Sequence, residues 1–339
     1  MASYNEIENP MRTNFVSSLN DFIKKEEEKL KDKRNAFIRL SEEKKRQRLI
    51  KEVGRPIDGN YSKEIALIDE SVISDDGNVV ATKMTFDILG IEFSGVKYEA
   101  KGDDTSSKAF IMGIHGGDGI PELIGGLVRG GNTYNYNNMI TGIVKKGAVV
   151  FCPQLLLWKI HDFGSPYDRI DMNNRLLQQG SSITAIEVFL MMRTIDYFSS
   201  LPEIDEERIG SVGLSYGGMY SVFLAALDTR IKSAVSSCWF NDRAKYHWRN
   251  FCYFGAEEDC FDAEIASMIL PRKLYIEAGS DDTCFTPEGA IAEYERLKDF
   301  ADKNGFSDKL QFRVFKGVHE FCNDGKYINS LLLDLKVFK

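Results

Sequence analysis

In the segment Arg208-Ile209-Gly210-Ser211-Val212-Gly213-Leu214-Ser215-Tyr216-Gly217-Gly218, a β-prone run leads straight into G-x-S-x-G and then into apolar, helix-like sequence. Few patterns restrict a chain more. A serine held on a strand-to-helix turn needs a strained backbone, with glycines two residues before and two after it because side chains there would clash. The five-residue pattern alone arises by chance in about one chain in ten of this length, so its meaning depends on what surrounds it.

The surroundings have the rhythm of a layered sheet. Short apolar runs at Ala109–Ile114, Ala148–Cys152, Arg208–Leu214, Ile231–Ser236, Lys273–Ala278 and Leu310–Phe315 alternate with helical stretches. The best of these stretches are Ile183–Phe198, Gly217–Leu227, Gly289–Asn304 and a C-terminal one from about Lys326 to Val337. That alternation predicts an α/β fold, a doubly wound and mostly parallel sheet with helices on both faces. Ahead of it, Val79–Leu89 and Ile91–Ala100 flank Gly90 and read as an antiparallel hairpin.

Residues from about Asn20 to Val53 are dense in charge, with Ile23, Leu30 and Phe37 at seven-residue spacing and Leu49, Ile50 and Val53 further on. This reads as one long helix or two shorter ones, ended by Gly54-Arg55-Pro56, that packs a narrow apolar stripe on its own domain. Its other reading is an oligomerisation or membrane-surface helix, which leaves a homo-oligomer open. The domain reading is a charged helical extension over residues 1–75 and a catalytic domain over 76–339. Two long segments, Pro121–Asn138 and Leu155–Ser181, interrupt the rhythm and are candidates for the rim of a substrate pocket.

Composition narrows the partners. The chain has 339 residues, 43% of them apolar, and a formal net charge of -8 without a sustained basic stripe beyond the N-terminal region, which argues against nucleic acid. No run of about 18 apolar residues is present to span a bilayer, and the first residues do not form an export signal. The six cysteines, Cys152, Cys238, Cys252, Cys260, Cys284 and Cys322, include no close CxxC pair, so neither a disulfide scaffold nor a zinc ribbon is expected. Reduced thiols fit a cytoplasmic location, with no membrane partner and no metal.

A serine hydroxyl is nearly unionised at neutral pH and needs a base, usually histidine. Of the four histidines, His319 stands just past the last strand, where a doubly wound sheet gathers its loops. His115 follows an earlier strand and opens Gly116-Gly117-Asp118-Gly119, whose bare amides suit an oxyanion loop, with the amide of Tyr216 as the other donor. His115 itself reads as a structural residue of that loop, and His161 and His247 as ordinary surface or half-buried histidines. A carboxylate must orient the base. Either Asp281 or Asp282, in the turn after Lys273–Ala278, could reach; Asp282 is chosen, with Asp281 bonding local backbone. Trp239, Phe240 and Tyr246 are candidate walls for the acyl or alcohol group, although aromatic clusters fill cores as often.

The order Ser215, Asp282, His319, together with Glu203–Gly210, Gly213–Gly218, Ala225–Lys232, Leu270–Leu274 and Gly317–Phe321, resembles the acetyl xylan esterase-like and dienelactone hydrolase-like α/β-hydrolases over roughly residues 80 to 339. The resemblance implies a serine esterase without a cofactor. Its nucleophile would be Ser215, its acid Asp282, its base His319, and its oxyanion amides Tyr216 and Gly116 or Gly117. It also implies a helical N-terminal extension on the core. Many secreted carbohydrate esterases of this kind carry export signals, so the small-molecule substrate expected here is a short-chain ester, imported or intracellular. The rivals are a serine peptidase or amidase on the same scaffold and a non-catalytic, hydrolase-shaped binding protein.

Overall fold

The computed structural model describes residues 10–102, 107–128, 133–156, 167–246 and 253–338. Two helices, α1 (Pro10–Phe37) and α2 (Glu42–Val53), open the chain and are followed by β1 (Ala66–Asp75), β2 (Val79–Ile88), β3 (Ile91–Ala100) and β4 (Lys108–Ile114). Short helices α3 (Pro121–Ile124) and α4 (Met139–Val144) precede β5 (Val149–Pro153), and α5 (Arg169–Gln178) and α6 (Ile183–Ser199) precede β6 (Ile204–Leu214). The remainder runs α7 (Tyr216–Leu227), β7 (Ile231–Ser237), α8 (Ala256–Asp259), α9 (Asp262–Ser267), β8 (Lys273–Gly279), α10 (Pro287–Asn304), β9 (Leu310–Phe315) and α11 (Lys326–Asp334).

Among the described residues, nine strands form one sheet in the order β1-β2-β3-β5-β4-β6-β7-β8-β9. From β5 to β9 all neighbours are parallel, while β1, β2 and β3 form an antiparallel meander joined to β5. The parallel strands are buried on both faces, which is why they read as unbroken apolar runs. One face is covered by α2, α6, α7, α9 and α10, the other by α4 and α11.

The sheet begins inside the segment assigned to the extension. Edge strand β1 pairs with β2 yet is almost wholly exposed, and Asp69, Glu70 and Asp75 interrupt its apolar residues. Charge along an edge discourages pairing with other chains and also erases the period-two signal. The charged region before it forms two helices rather than one, because Ser41 caps the second of them and accepts from the Lys44 amide.

That extension is anchored from its middle onward. Arg34 lies over the Phe261 ring, Leu49 and Val53 are fully buried, and Lys45 reaches Ser267 Oγ at 2.6 Å. Toward the N-terminus α1 extends beyond the core, with Met11, Phe15, Leu19, Phe22 and Ile23 all exposed. The predicted stripe therefore packs on its own domain at Phe37, Leu49 and Val53, while Ile23 stays exposed.

His115 ties two neighbouring strand ends together. Its ring is fully buried; Nδ1 lies 2.6 Å from Gly116 O, and Nε2 accepts the Leu155 amide at 3.0 Å. An acceptor Nε2 fixes the proton on Nδ1, and burial pushes the ring's pKa down to about 4.

Two predictions follow from these contacts. Leu49→Ala should lower unfolding free energy in urea by about 3 kcal/mol, while Leu19→Ala should change it by less than about 0.5 kcal/mol; equal effects would contradict the packing described. His115 stays neutral in the folded chain but takes a proton when unfolded, so unfolding captures a proton between pH 6.5 and about 4. Its stabilising contribution is complete above the unfolded pKa and falls as pH drops through that window, by about 3 kcal/mol. His115→Gln, which can keep both bonds, should flatten that part of the stability curve, and an unchanged slope would count against this role.

Candidate active site

The strand order reverses around β4: the chain passes to β5 on one side and returns to β6 on the other. Crevices at such switch points, outside the carboxyl ends of the strands, are where open α/β sheets bind ligands. Ile114 lies opposite Gly213 in the register, so the glycine loop after β4 and the turn after β6 emerge side by side.

Ser215 occupies that turn at φ 58°, ψ −123°, a conformation most side chains avoid. Glycine makes it attainable. A Cβ at Gly213 would overlap the Gly217 carbonyl, one at Gly217 would overlap the Ile114 carbonyl, and one at Gly218 would come within 2.9 Å of Ser237 O. The turn is thus pressed between α7, β4 and β7, and the Ser215 amide is held by Ser237 O at 2.8 Å.

The loops beyond β7, β8 and β9 continue the ladder past the strand ends. Cys238 N–H donates to Glu277 O, Ser280 N–H to Phe315 O and Asp281 N–H to Gly317 O, each at 2.8 Å. A side chain at Gly279 would overlap the Val318 carbonyl, so glycine also allows the last two loops to close on each other. The result brings Asp282 to His319, with Oδ2 lying 2.8 Å from Nδ1. Asp282 Oδ1 accepts the amides of Cys284 and Phe285 at 2.7 and 3.0 Å, which aims the carboxylate. Asp281 is exposed, and its side chain accepts from the Ser280 hydroxyl rather than from local backbone.

Ser215 and His319 border one cavity of about 230 Å³, together with Gly116, Gly117, Tyr136, Tyr216, Cys284 and Phe285. No hydrogen bond joins the Ser215 hydroxyl to the ring among the described residues; such bonds commonly tighten only around substrate. The oxyanion candidates separate. Tyr216 is the first residue of α7, where backbone amides have no intrahelical partner. The Gly117 amide makes no hydrogen bond among the described residues, whereas the Gly116 amide donates to Tyr136 Oη at 2.9 Å. Of the two glycines expected as alternatives, Gly116 already has its amide engaged.

Two of the aromatic candidates stand one layer back, and Phe240 is buried in the core. Trp239, Phe240 and Tyr246 are not among the cavity's lining residues; Trp239 and Tyr246 pack on Phe285, with ring centroids 4.8 and 5.2 Å apart, and Phe285 in turn lies 5.8 Å from the His319 ring. Phe285, three residues after Asp282, lines the cavity where these residues were expected, and nothing in the sequence singled it out. His161 and His247 lie outside the described residues.

Two buried or nearly buried ion pairs brace the site, and neither left a motif. On the side of β4, Glu187 accepts the Tyr216 hydroxyl at 2.8 Å and the Leu156 amide at 2.7 Å, and also bonds the Tyr220 hydroxyl and pairs with Arg169. On the side of β9, Glu277 accepts Ser237 Oγ and the Cys322 amide at 2.9 Å each, while Arg313 holds its second oxygen at 2.6 Å. Burial raises the Glu277 carboxyl's pKa, opposed by the Cys322 amide and Arg313. The loop carrying His319 is fixed further by Asn137, which donates to Glu320 Oε2 and Phe321 O at 3.0 and 2.6 Å.

Among the described residues, Cys238, Asp282 and His319 offer three potential metal ligands within 4.8 Å of one another. Their chemistry fits a metal poorly. Burial raises the Cys238 thiol well above its usual pKa and its Sγ lies 3.2 Å from Glu320 O, so it is a thiol rather than the thiolate a metal binds, while Asp282 already serves His319.

The chain resembles "Putative hydrolase YtaP" of Bacillus subtilis strain 168 at 28% identity over 122 residues, spanning 34% of this chain and 41% of that relative. Among solved structures it superposes on a "putative acetyl xylan esterase" from Bacteroides fragilis NCTC 9343 with a TM-score of 0.65 and 15% identity, covering 88% of this chain and 82% of that one. A glucuronoyl esterase from Solibacter usitatus gives a TM-score of 0.61 at 11% identity, covering 87% and 92%. At these identities the structural likeness establishes the α/β-hydrolase fold. The model of the dienelactone hydrolase family matches residues 126–327, more than half of the sequence, and the chain belongs to that family.

Proposed function

We propose that the protein is a serine carboxylic-ester hydrolase that removes acetyl or other short acyl groups from a small or carbohydrate-derived ester. The observation that carries this reading is the Asp282–His319 contact at 2.8 Å beside the cavity bordered by the strained Ser215. Asp282 keeps the proton on Nδ1, which leaves Nε2 as the base for the serine hydroxyl. Ser215 attacks the ester carbonyl, and the oxyanion of the tetrahedral intermediate is stabilised by the amides of Tyr216 and Gly117. His319 returns its proton to the departing alcohol. Water, activated by the same ring, then releases the acid from the acyl-enzyme.

The cavity favours small acyl groups. At about 230 Å³ it lies below the range of most drug-sized ligand pockets, and Phe285 and Leu123 supply apolar walls. Acetyl esters are also what the "putative acetyl xylan esterase" among the structural relatives is named for.

Hydrolysis of p-nitrophenyl acetate should exceed that of an amino-acyl p-nitroanilide, and a fluorophosphonate should label Ser215. Ser215→Ala should abolish labelling and lower kcat by about 10⁶-fold, and Asp282→Asn should lower it by about 10⁴-fold. Faster anilide cleavage would favour a peptidase, and undiminished ester turnover in Ser215→Ala would remove the serine from the mechanism.

A further inference from the structure

One polar group of the cavity has no part in the mechanism above. Tyr136 is almost fully buried, borders the same space as Ser215, and carries its hydroxyl over the glycine loop. Its oxygen accepts the Gly116 amide at 2.9 Å. Among the described residues no acceptor takes the hydroxyl's own proton, although buried polar hydrogens generally find one.

The position of that hydroxyl is specific. A Cβ on Gly116 would lie 3.2 Å from Tyr136 Oη and 3.5 Å from Ser215 Cβ, so the phenol oxygen and the serine side chain flank the same point beside Gly116. Gly119 makes room for it, since a side chain there would overlap Oη. The residues on either side are tied to the loop of His319: Phe321 N–H donates to Asn135 O at 2.7 Å, and Asn137, at φ 46°, bonds Glu320 and Phe321.

We propose that the Tyr136 hydroxyl is a third donor to the oxyanion, receiving the Gly116 N–H and passing its own hydrogen bond to the oxygen that becomes negative when Ser215 attacks. This rests on the serine-esterase reading of the site. No covalent bond to Tyr136 forms or breaks; the phenol keeps its proton throughout. Burial holds the phenol in its protonated form at neutral pH, which is the form able to donate. Accepting the Gly116 amide polarises the O–H bond and strengthens it as a donor. The amide that the glycine loop would otherwise have aimed at the oxyanion thus acts through a side chain that reaches further into the cavity.

The experiment compares wild-type and Tyr136→Phe full-length protein on p-nitrophenyl acetate, with folding checked by circular dichroism. We expect kcat to fall about 100-fold and KM to move less than about threefold, since the charge appears only after attack. Affinity for a small alkyl boronic acid, which forms a tetrahedral adduct on the serine, should fall in step with kcat. A wild-type kcat in Tyr136→Phe, or a reduced kcat with unchanged boronate affinity, overturns the proposal. If the variant does not fold, a crystal structure of the wild-type boronate adduct decides: a boronate oxygen within about 3 Å of Oη supports it, and one turned away from Oη overturns it. Boronate inhibition and turnover that persist in Ser215→Ala would instead refute the serine reading itself.

Discussion

The site depends on backbone hydrogen bonds that run past the ends of the parallel strands. Ser215 is tied to Ser237, Cys238 to Glu277, Ser280 to Phe315 and Asp281 to Gly317, so each functional loop is registered against the next by main-chain atoms. Such bonds require close backbone approach, and Gly213, Gly217, Gly218 and Gly279 sit where any Cβ would crowd a neighbouring carbonyl or, in the turn itself, the Gly217 backbone. The left-handed conformation of Ser215 costs of order 1–3 kcal/mol. Three neighbouring elements hold it there, so the strain cannot relax by moving one of them alone.

Side chains complete what the backbone begins. Glu187 with Arg169 and Glu277 with Arg313 form buried or nearly buried ion pairs whose remaining acceptor positions take hydroxyls and loop amides. Buried pairs of this kind contribute little net stability compared with apolar packing, because desolvation offsets their attraction. Their value lies in direction. Glu187 fixes the side chain of Tyr216, whose amide opens α7, and Glu277 fixes the segment leading out of His319. Preorganised donors of this type lower the barrier because they need not reorient as charge develops.

The sequence revealed most of this where one local rule governed the outcome. The parallel strands were legible because burial on both faces leaves continuous apolar runs, and the elbow because the strained turn demands glycine on either side of Ser215. Strand β1 was not, since its charged edge destroys the alternation by which half-buried strands are recognised. Ser215, Asp282 and His319 were placed by their positions after strands, but the partner of Gly116 was not, because Tyr136 reaches it across 20 residues from a segment that looked irregular. The Tyr-Asn-Tyr-Asn-Asn run did carry a local signal, as Asn137 and Asn138 both adopt positive φ. Trp239 and Tyr246 stand behind Phe285 rather than at the cavity, and sequence cannot tell an aromatic that lines a cavity from one that supports it.

On the proposed mechanism Ser215 becomes covalently acylated during turnover. Rapid acid quench of the wild-type protein with p-nitrophenyl acetate, followed by peptide mapping by mass spectrometry, measures this directly. The account predicts an acetyl adduct on the peptide containing Ser215, and nowhere else in proportion to turnover. Turnover without any adduct at Ser215, under conditions where a burst of p-nitrophenol shows that an intermediate accumulates, would contradict it.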